Sequence, residues 1–255
     1  ATNDKFIDYF FHYSSSIKGV ENKVLIPTDD KELFYVKSKD LVEICDPNLD
    51  SVVESIGNID KYDSIYIHYL TGLMVDFLNW LPSRSKCKII WIFFGADAFN
   101  THIFLKDTSD KNTDIFLKKI QKKEFSLNSF LKRKYQIFLR RKAISKINYF
   151  ALYLIYDYEL IKKRFNCDFL FFEFFLCGLP LFLKNMPAIK LGEKKVLIGN
   201  PSNPSNNHYD AFELLRSLNL KNFEIITPLS TAVPMNMCQR LLDWVLCPSK
   251  RNLDL

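Results

Sequence analysis

The chain has 255 residues, a formal net charge of +6 and 48% hydrophobic residues, a composition typical of a folded protein with a substantial core. It contains only 7 glycines, which argues against a glycine-rich cofactor loop, and its 6 cysteines form no CxxC pair or Cys/His cluster, so neither a zinc site nor a disulfide framework is predicted. No apolar run reaches the roughly 18 residues that a membrane-spanning helix needs.

Short apolar runs alternate with helical stretches along the chain. Strands are predicted, in order, at residues 23–26, 34–36, 64–68, 88–94, 149–154, 169–172, 195–198 and 223–226. Helices are predicted at 71–80, within 116–147 with breaks, and at 156–164. Because apolar strands joined through helices are typical of parallel sheets covered on both faces, the sequence predicts an α/β fold.

Two polar residues lie at the carboxyl ends of predicted parallel strands. His68 ends the strand 64–68, and Asp97 comes shortly after the strand 88–94. Ligands of open α/β sheets bind at the carboxyl ends of the strands, so we expect both side chains to take part in catalysis. Alternatively, His68 is only a polar strand end and Asp97 caps a helix.

A strongly basic segment spans residues 118–146. It carries eleven Lys or Arg residues against one acid, Glu124, and Phe, Leu and Tyr residues lie between the cations. Such a segment can lie on an anionic membrane surface, and Lys132, Arg133, Arg140 and Arg141 are the expected contacts. A solvated helix face is the alternative, and nucleic-acid binding is the less favoured one.

The predicted strand 195–198 runs into a loop of small residues that begins at Gly199 and precedes an amphipathic run at 210–215. A loop of this kind directs backbone N–H groups and the positive end of a helix at one place, which suits a diphosphate. The alternative is an ordinary strand-to-helix turn with a good helix cap, which has a similar sequence pattern.

Four segments carry a resemblance to a known family. They are residues 4–8 (DKFID), 65–68 (IYIH), 88–99 (KIIWIFFGADAF) and 199–208 (GNPSNPSNNH). In this order they resemble the bacterial TDP-N-acetylfucosamine:lipid II N-acetylfucosaminyltransferases, glycosyltransferase family 56. The resemblance runs from about residue 3 to about residue 229.

The resemblance implies a GT-B-like architecture of two Rossmann-like, doubly wound domains: an acceptor-side domain at 1–186 and the start of a nucleotide-sugar domain at 187–255, apparently truncated. It implies transfer of a 4-acetamido-4,6-dideoxyhexose from a TDP-sugar to an undecaprenyl-diphosphate-linked saccharide in surface-polysaccharide assembly. The enzyme would work without a cofactor or metal, as a peripheral protein at the cytoplasmic face of the bacterial inner membrane. The donor-side residues would be Gly199, Asn200, Ser202, Ser205, Asn206 and His208. The alternative is a truncated, non-catalytic remnant that binds the acceptor or the membrane.

Overall fold

In a computed structural model the protein is a mixed α/β protein with parallel sheets. The structure describes residues 6–30, 32–82, 85–95, 111, 115, 127–174, 195–198, 207–216, 218 and 223–226. The chain divides into two compact units, Ala1–Asp97 with Phe125–Met186, and Ala98–Glu124 with Pro187–Leu255. The α/β class predicted from the alternating pattern is therefore confirmed, and the parallel sheets are compatible with a Rossmann-like fold.

The first unit contains most of the described secondary structure. Its helices are α1 (Phe6–Ser14), α2 (Leu49–Ile56), α3 (Gly72–Trp80), α4 (Leu127–Ile144) and α5 (Ile155–Phe165). Its strands are β1 (Val24–Pro27), β2 (Val42–Cys45), β3 (Ser64–His68), β4 (Lys88–Ile92), β5 (Tyr149–Leu152) and β6 (Leu170–Glu173). Short 3-10 helices occupy Lys39–Leu41 and Ile59–Lys61.

A four-stranded parallel sheet in the order β3-β4-β5-β6 forms the centre of this unit. Successive side chains of a strand point to opposite faces. On one face Phe10 of α1 packs with Ile90, Ile92 and Ala151. On the other face the fully buried Trp91 and Phe150 meet edge to face, with ring centroids 5.1 Å apart. Burial on both faces explains why β4 and β5 read as nearly continuous apolar runs.

A separate parallel pair, β1 and β2, lies over a second cluster of buried side chains. The strand predicted at 34–36 is wrong: Phe34 is 76% exposed and Tyr35 is 63% exposed, and only Val36 enters the cluster. The strand that pairs with β1 is Val42–Cys45, which is short and has no buried residue, and it was not predicted. Helices α1 and α2 were also not predicted.

In the second unit, strands β7 (Lys195–Leu197) and β8 (Glu224–Ile226) pair in parallel. Between them in the chain lies helix α6 (His208–Arg216), so these elements form a βαβ unit. The predicted strand and helix are therefore present on either side of residues 199–206, which themselves lie outside the described residues. Among the described helices, none is both long and apolar enough to cross a membrane.

Candidate functional site

His68 lies at the carboxyl end of β3, beside Ile92 of the neighbouring strand β4. Only 4% of His68 is exposed, and the other buried residues in the described part of the chain are almost all apolar. The carboxyl edge of a parallel sheet is where α/β proteins bind ligands, because the helix N-termini and loops gather there. The structure thus places His68 at the edge that the sequence predicted.

Aromatic rings surround the imidazole of His68. The Phe10 ring meets it edge to face at 5.2 Å between ring centroids, and the Phe94 ring lies 6.4 Å away. Phe10 also contacts Tyr66, the residue of β3 on the same face as His68. Phe6, one turn before Phe10 on α1, packs on Phe94 at 5.0 Å. Helix α1 therefore covers the face of the sheet on which His68 lies.

Burial lowers the pKa of His68 to about 3, because a charged imidazolium would lose its hydration among these rings. The side chain is therefore neutral at pH 7, so that one of its nitrogens is able to donate a hydrogen bond and the other to accept one. Its Nδ1 atom is buried and has no hydrogen-bond partner. An unpaired buried polar atom lowers the stability of a protein by about 1 to 3 kcal/mol. At this edge of the sheet, Nδ1 of His68 is therefore the polar atom that most clearly lacks a hydrogen-bond partner.

The neighbouring strands β3 and β4 are each followed by a residue in the left-handed backbone region. Tyr69 follows β3 with φ of 69°, and Gly95 follows β4 with φ of 81°. Such a conformation costs a non-glycine residue about 1 to 2 kcal/mol, and it often occurs at functional sites. Two residues beyond Tyr69, the Thr71 hydroxyl accepts a hydrogen bond from the Met74 N–H at 3.2 Å and caps α3.

The other predicted catalytic residue, Asp97, lies outside the described residues, as do Gly199, Asn200, Ser202, Ser205 and Asn206 on the predicted donor side. His208 is the first residue of α6, directly after Asn207, whose φ is 49°. The Asn207 carbonyl accepts hydrogen bonds from the N–H groups of Asp210 and Ala211, each at 3.1 Å. The helix therefore starts at the end of the predicted phosphate loop.

The four predicted membrane contacts lie on α4, but their environments differ. Lys132, Arg133 and Arg141 are exposed. Arg140 is half-buried, and its Nη1 donates a hydrogen bond to the Leu70 carbonyl at 3.2 Å. Arg140 thus connects α4 to the segment that follows His68.

Sequence reasoning missed the contribution of α1 to this site. The signal was present, since Ile7, Phe10 and Phe11 follow the i, i+3, i+4 spacing of an amphipathic helix and all three are buried. The nearby Asp8 fixes this helix: its carboxylate accepts N–H hydrogen bonds from Lys37 at 2.9 Å and from Ser38 at 2.9 Å.

A cavity of about 340 Å³ lies at the opposite edge of the sheet, where β4, β5 and β6 begin. Lys88, Asn148, Cys167 and Asp168 are among its lining residues. Burial raises the pKa of the Cys167 thiol to about 11, so the reactive thiolate is scarce at neutral pH. Among the residues that the structure describes, no group of three or more His, Cys, Asp or Glu could hold a metal ion.

Comparison with known proteins gave no match among protein-family models, curated proteins or solved structures.

Proposed function

We propose that the protein is a GT-B-type glycosyltransferase that moves a 4-acetamido-4,6-dideoxyhexose from a TDP-sugar to a saccharide carried on undecaprenyl diphosphate. The observation that carries this proposal is His68, a neutral, buried histidine with an unpaired nitrogen at the carboxyl edge of a parallel sheet. The segments around it, residues 65–68 and 88–99, are also those in which the sequence resembles this transferase family.

In this proposal the residues 1–186 bind the acceptor and the residues from 187 bind the nucleotide. His68 forms a hydrogen bond with the acceptor hydroxyl and orients it. A histidine with a pKa of about 3 is a poor general base at neutral pH, so the proton passes instead to Asp97. Because His68 is only 4% exposed, acceptor binding requires the aromatic side chains around it to move.

On the donor side, the loop 199–206 and the start of α6 receive the diphosphate. The backbone N–H groups of this loop and the positive end of α6 stabilise the negative charge that develops on the leaving diphosphate. This stabilisation needs no metal ion, in keeping with the metal-independent diphosphate binding that the family resemblance implies. The enzyme works at the cytoplasmic face of the inner membrane, where a lipid-linked acceptor is anchored.

The test is transfer of labelled sugar from the TDP-linked donor to a polyprenyl-diphosphate-linked saccharide by the purified protein. We expect Asp97→Asn to lower turnover by about 100-fold or more, as loss of a general base does. His68→Leu removes the hydrogen bond and lowers turnover, whereas His68→Asn retains bonding capacity and restores part of it.

Two results would contradict the proposal. Acceptor binding without any transfer would favour the non-catalytic, acceptor-binding alternative. Full turnover in both Asp97→Asn and His68→Leu would show that the chemistry takes place elsewhere in the protein.

A further inference from the structure

Helix α4 packs at one end and is exposed at the other. Near its C-terminal end Ala143 and Ile144 are buried, and the helix packs against α3. In its first half every residue from 130 to 136 is exposed. Four large apolar side chains of α4 are exposed: Phe130 at 43%, Leu131 at 56%, Tyr135 at 62% and Phe138 at 60%. Solvent-exposed helices of soluble proteins normally present polar residues instead.

These apolar side chains fall on one side of the helix. At about 100° per residue, positions 130, 134, 138 and 141 align, and positions 131, 135 and 142 lie beside them. We call the resulting stripe the aromatic-basic face; its residues are Phe130, Leu131, Lys134, Tyr135, Phe138, Arg141 and Lys142. Within it the Lys134 ammonium lies 5.5 Å from the centre of the Phe130 ring. No Asp or Glu occurs between residues 127 and 146.

The cations of α4 therefore divide between two sides. Lys134, Arg141 and Lys142 are on the aromatic-basic face. Lys132 and Arg133 project from the other side of the helix, in the direction in which Ala143 and Ile144 are buried about three turns later. Arg140, also on that other side, bonds to Leu70. Of the four contacts predicted from the sequence, only Arg141 shares a face with the exposed apolar side chains.

We infer that the aromatic-basic face of α4 binds the surface of an anionic lipid leaflet. Exposed apolar side chains enter the boundary between headgroups and acyl chains, and the flanking cations contact the anionic headgroups. The long stems of Lys134 and Arg141 allow both contacts at once, since they carry the charge outward while the rings are inserted. The inference names the membrane partner of the proposed transferase and rests on that proposal only for its biological purpose.

The experiment compares two variants of equal composition and equal net charge. The first is Lys134→Glu with Arg141→Glu, and the control is Lys132→Glu with Arg133→Glu. Binding of the full chain is measured by co-sedimentation with vesicles of phosphatidylcholine alone or mixed with phosphatidylglycerol. Each cation near an anionic surface contributes about fivefold to binding. We therefore expect the first variant to bind mixed vesicles at least about 25-fold more weakly than the wild type, and the control to keep most of its binding.

A second measurement reports insertion directly. Phe138→Trp places a fluorophore on the aromatic-basic face, and Gln136→Trp places one on the other side of the same turn. The tryptophan emission, taken as a difference from the wild type, should shift to the blue on mixed vesicles for Phe138→Trp only. Circular dichroism checks that each variant keeps its helix content.

Equal loss of binding in the two charge variants would overturn the inference, because net charge rather than one face would then govern attraction. Equal emission shifts at positions 136 and 138, or no binding of the wild type to mixed vesicles, would overturn it as well. Binding of the wild type to RNA but not to vesicles would identify a nucleic acid as the partner. Since these assays contain neither donor nor acceptor, their failure is distinct from a failure of sugar transfer.

Discussion

The Nη1 atom of Arg140 donates a hydrogen bond to the carbonyl oxygen of Leu70 across 3.2 Å, which connects α4 to the chain two residues beyond His68. Two further bonds join the C-terminal part of α4 and the residues after it to Asn79 of α3. The Asn79 side-chain N–H donates to the Leu139 carbonyl at 3.0 Å, and the Lys146 ammonium donates to the Asn79 carbonyl at 3.1 Å. The packed end of α4 is thus held by specific bonds, one of which lies close to His68 in the chain.

Replacing Arg140 should therefore lower the free energy of unfolding. Arg140→Ala removes a half-buried charged donor, and we expect the free energy of unfolding to fall by about 1 to 3 kcal/mol. Arg141→Ala is the matched control: Arg141 is exposed, so its change should stay within about 0.5 kcal/mol. Urea titrations followed by circular dichroism measure both. Equal effects of the two substitutions would show that the bond to Leu70 contributes nothing measurable.

His68 should make the protein sensitive to mild acid. The imidazole titrates near 6.5 when unfolded and at about 3 when folded, so the unfolded state binds the additional proton first as pH falls. Stability is therefore lost from about pH 6.5 downward, at up to about 1.4 kcal/mol per pH unit from this group, and the loss ends near the folded pKa.

His68→Leu removes the titrating group and should flatten the stability profile between pH 7 and 4. His12→Gln, at an exposed histidine, is the control and should retain the wild-type profile. Parallel profiles for His68→Leu and the wild type would mean that the folded protein accommodates the charged imidazole.

Asp8 should give a second pH dependence, at lower pH. Burial raises the pKa of its carboxyl group, but the hydrogen bonds from Lys37 and Ser38 outweigh burial and leave the pKa below its usual value. The stability that Asp8 contributes is complete above the unfolded pKa of about 3.9 and is lost as pH falls through the folded pKa.

At pH 7, Asp8→Ala should lower the free energy of unfolding by about 1.5 to 3 kcal/mol, as expected for hydrogen bonds to a charged group. The exposed Asp29→Ala should change it by less than about 0.5 kcal/mol. Thermal unfolding at both pH 7 and pH 3 tests the assignment, because the difference between Asp8→Ala and the wild type should shrink at pH 3. A difference that is the same at both values would assign the effect to packing.

Asn166 ends α5 in the left-handed region, with φ of 53° and an exposed side chain. Asn166→Gly should therefore be nearly neutral, since glycine adopts this conformation without steric cost. Asn166→Val should lower the free energy of unfolding by about 1 to 2 kcal/mol, because a β-branched residue resists positive φ. Denaturation midpoints of the two variants measure the difference; equal midpoints would mean that the helix end rearranges.

Local patterns in the sequence predicted the strands of the four-stranded sheet well. Residues 64–68 were predicted as a strand and form β3, and the helix predicted at 71–80 is α3 with Thr71 as its cap. These elements are buried on both faces or amphipathic, so their own side chains carry the signal. The strand β2 escaped prediction because its burial is partial at Val42 and Cys45 and absent between them.

The sequence by itself determined the α/β class and the position of His68 at the end of a strand, since both depend on the order of apolar runs along one stretch of chain. Only the tertiary structure decided that Phe10 and Phe94 surround that histidine and lower its pKa, because these contacts join residues far apart in sequence. It also divided the basic residues of α4 between two sides and tied Arg140 to Leu70. The composition gives the number of charged residues. Which of them are exposed, and which bond to a neighbouring segment, depends on the face of the helix that the rest of the fold covers.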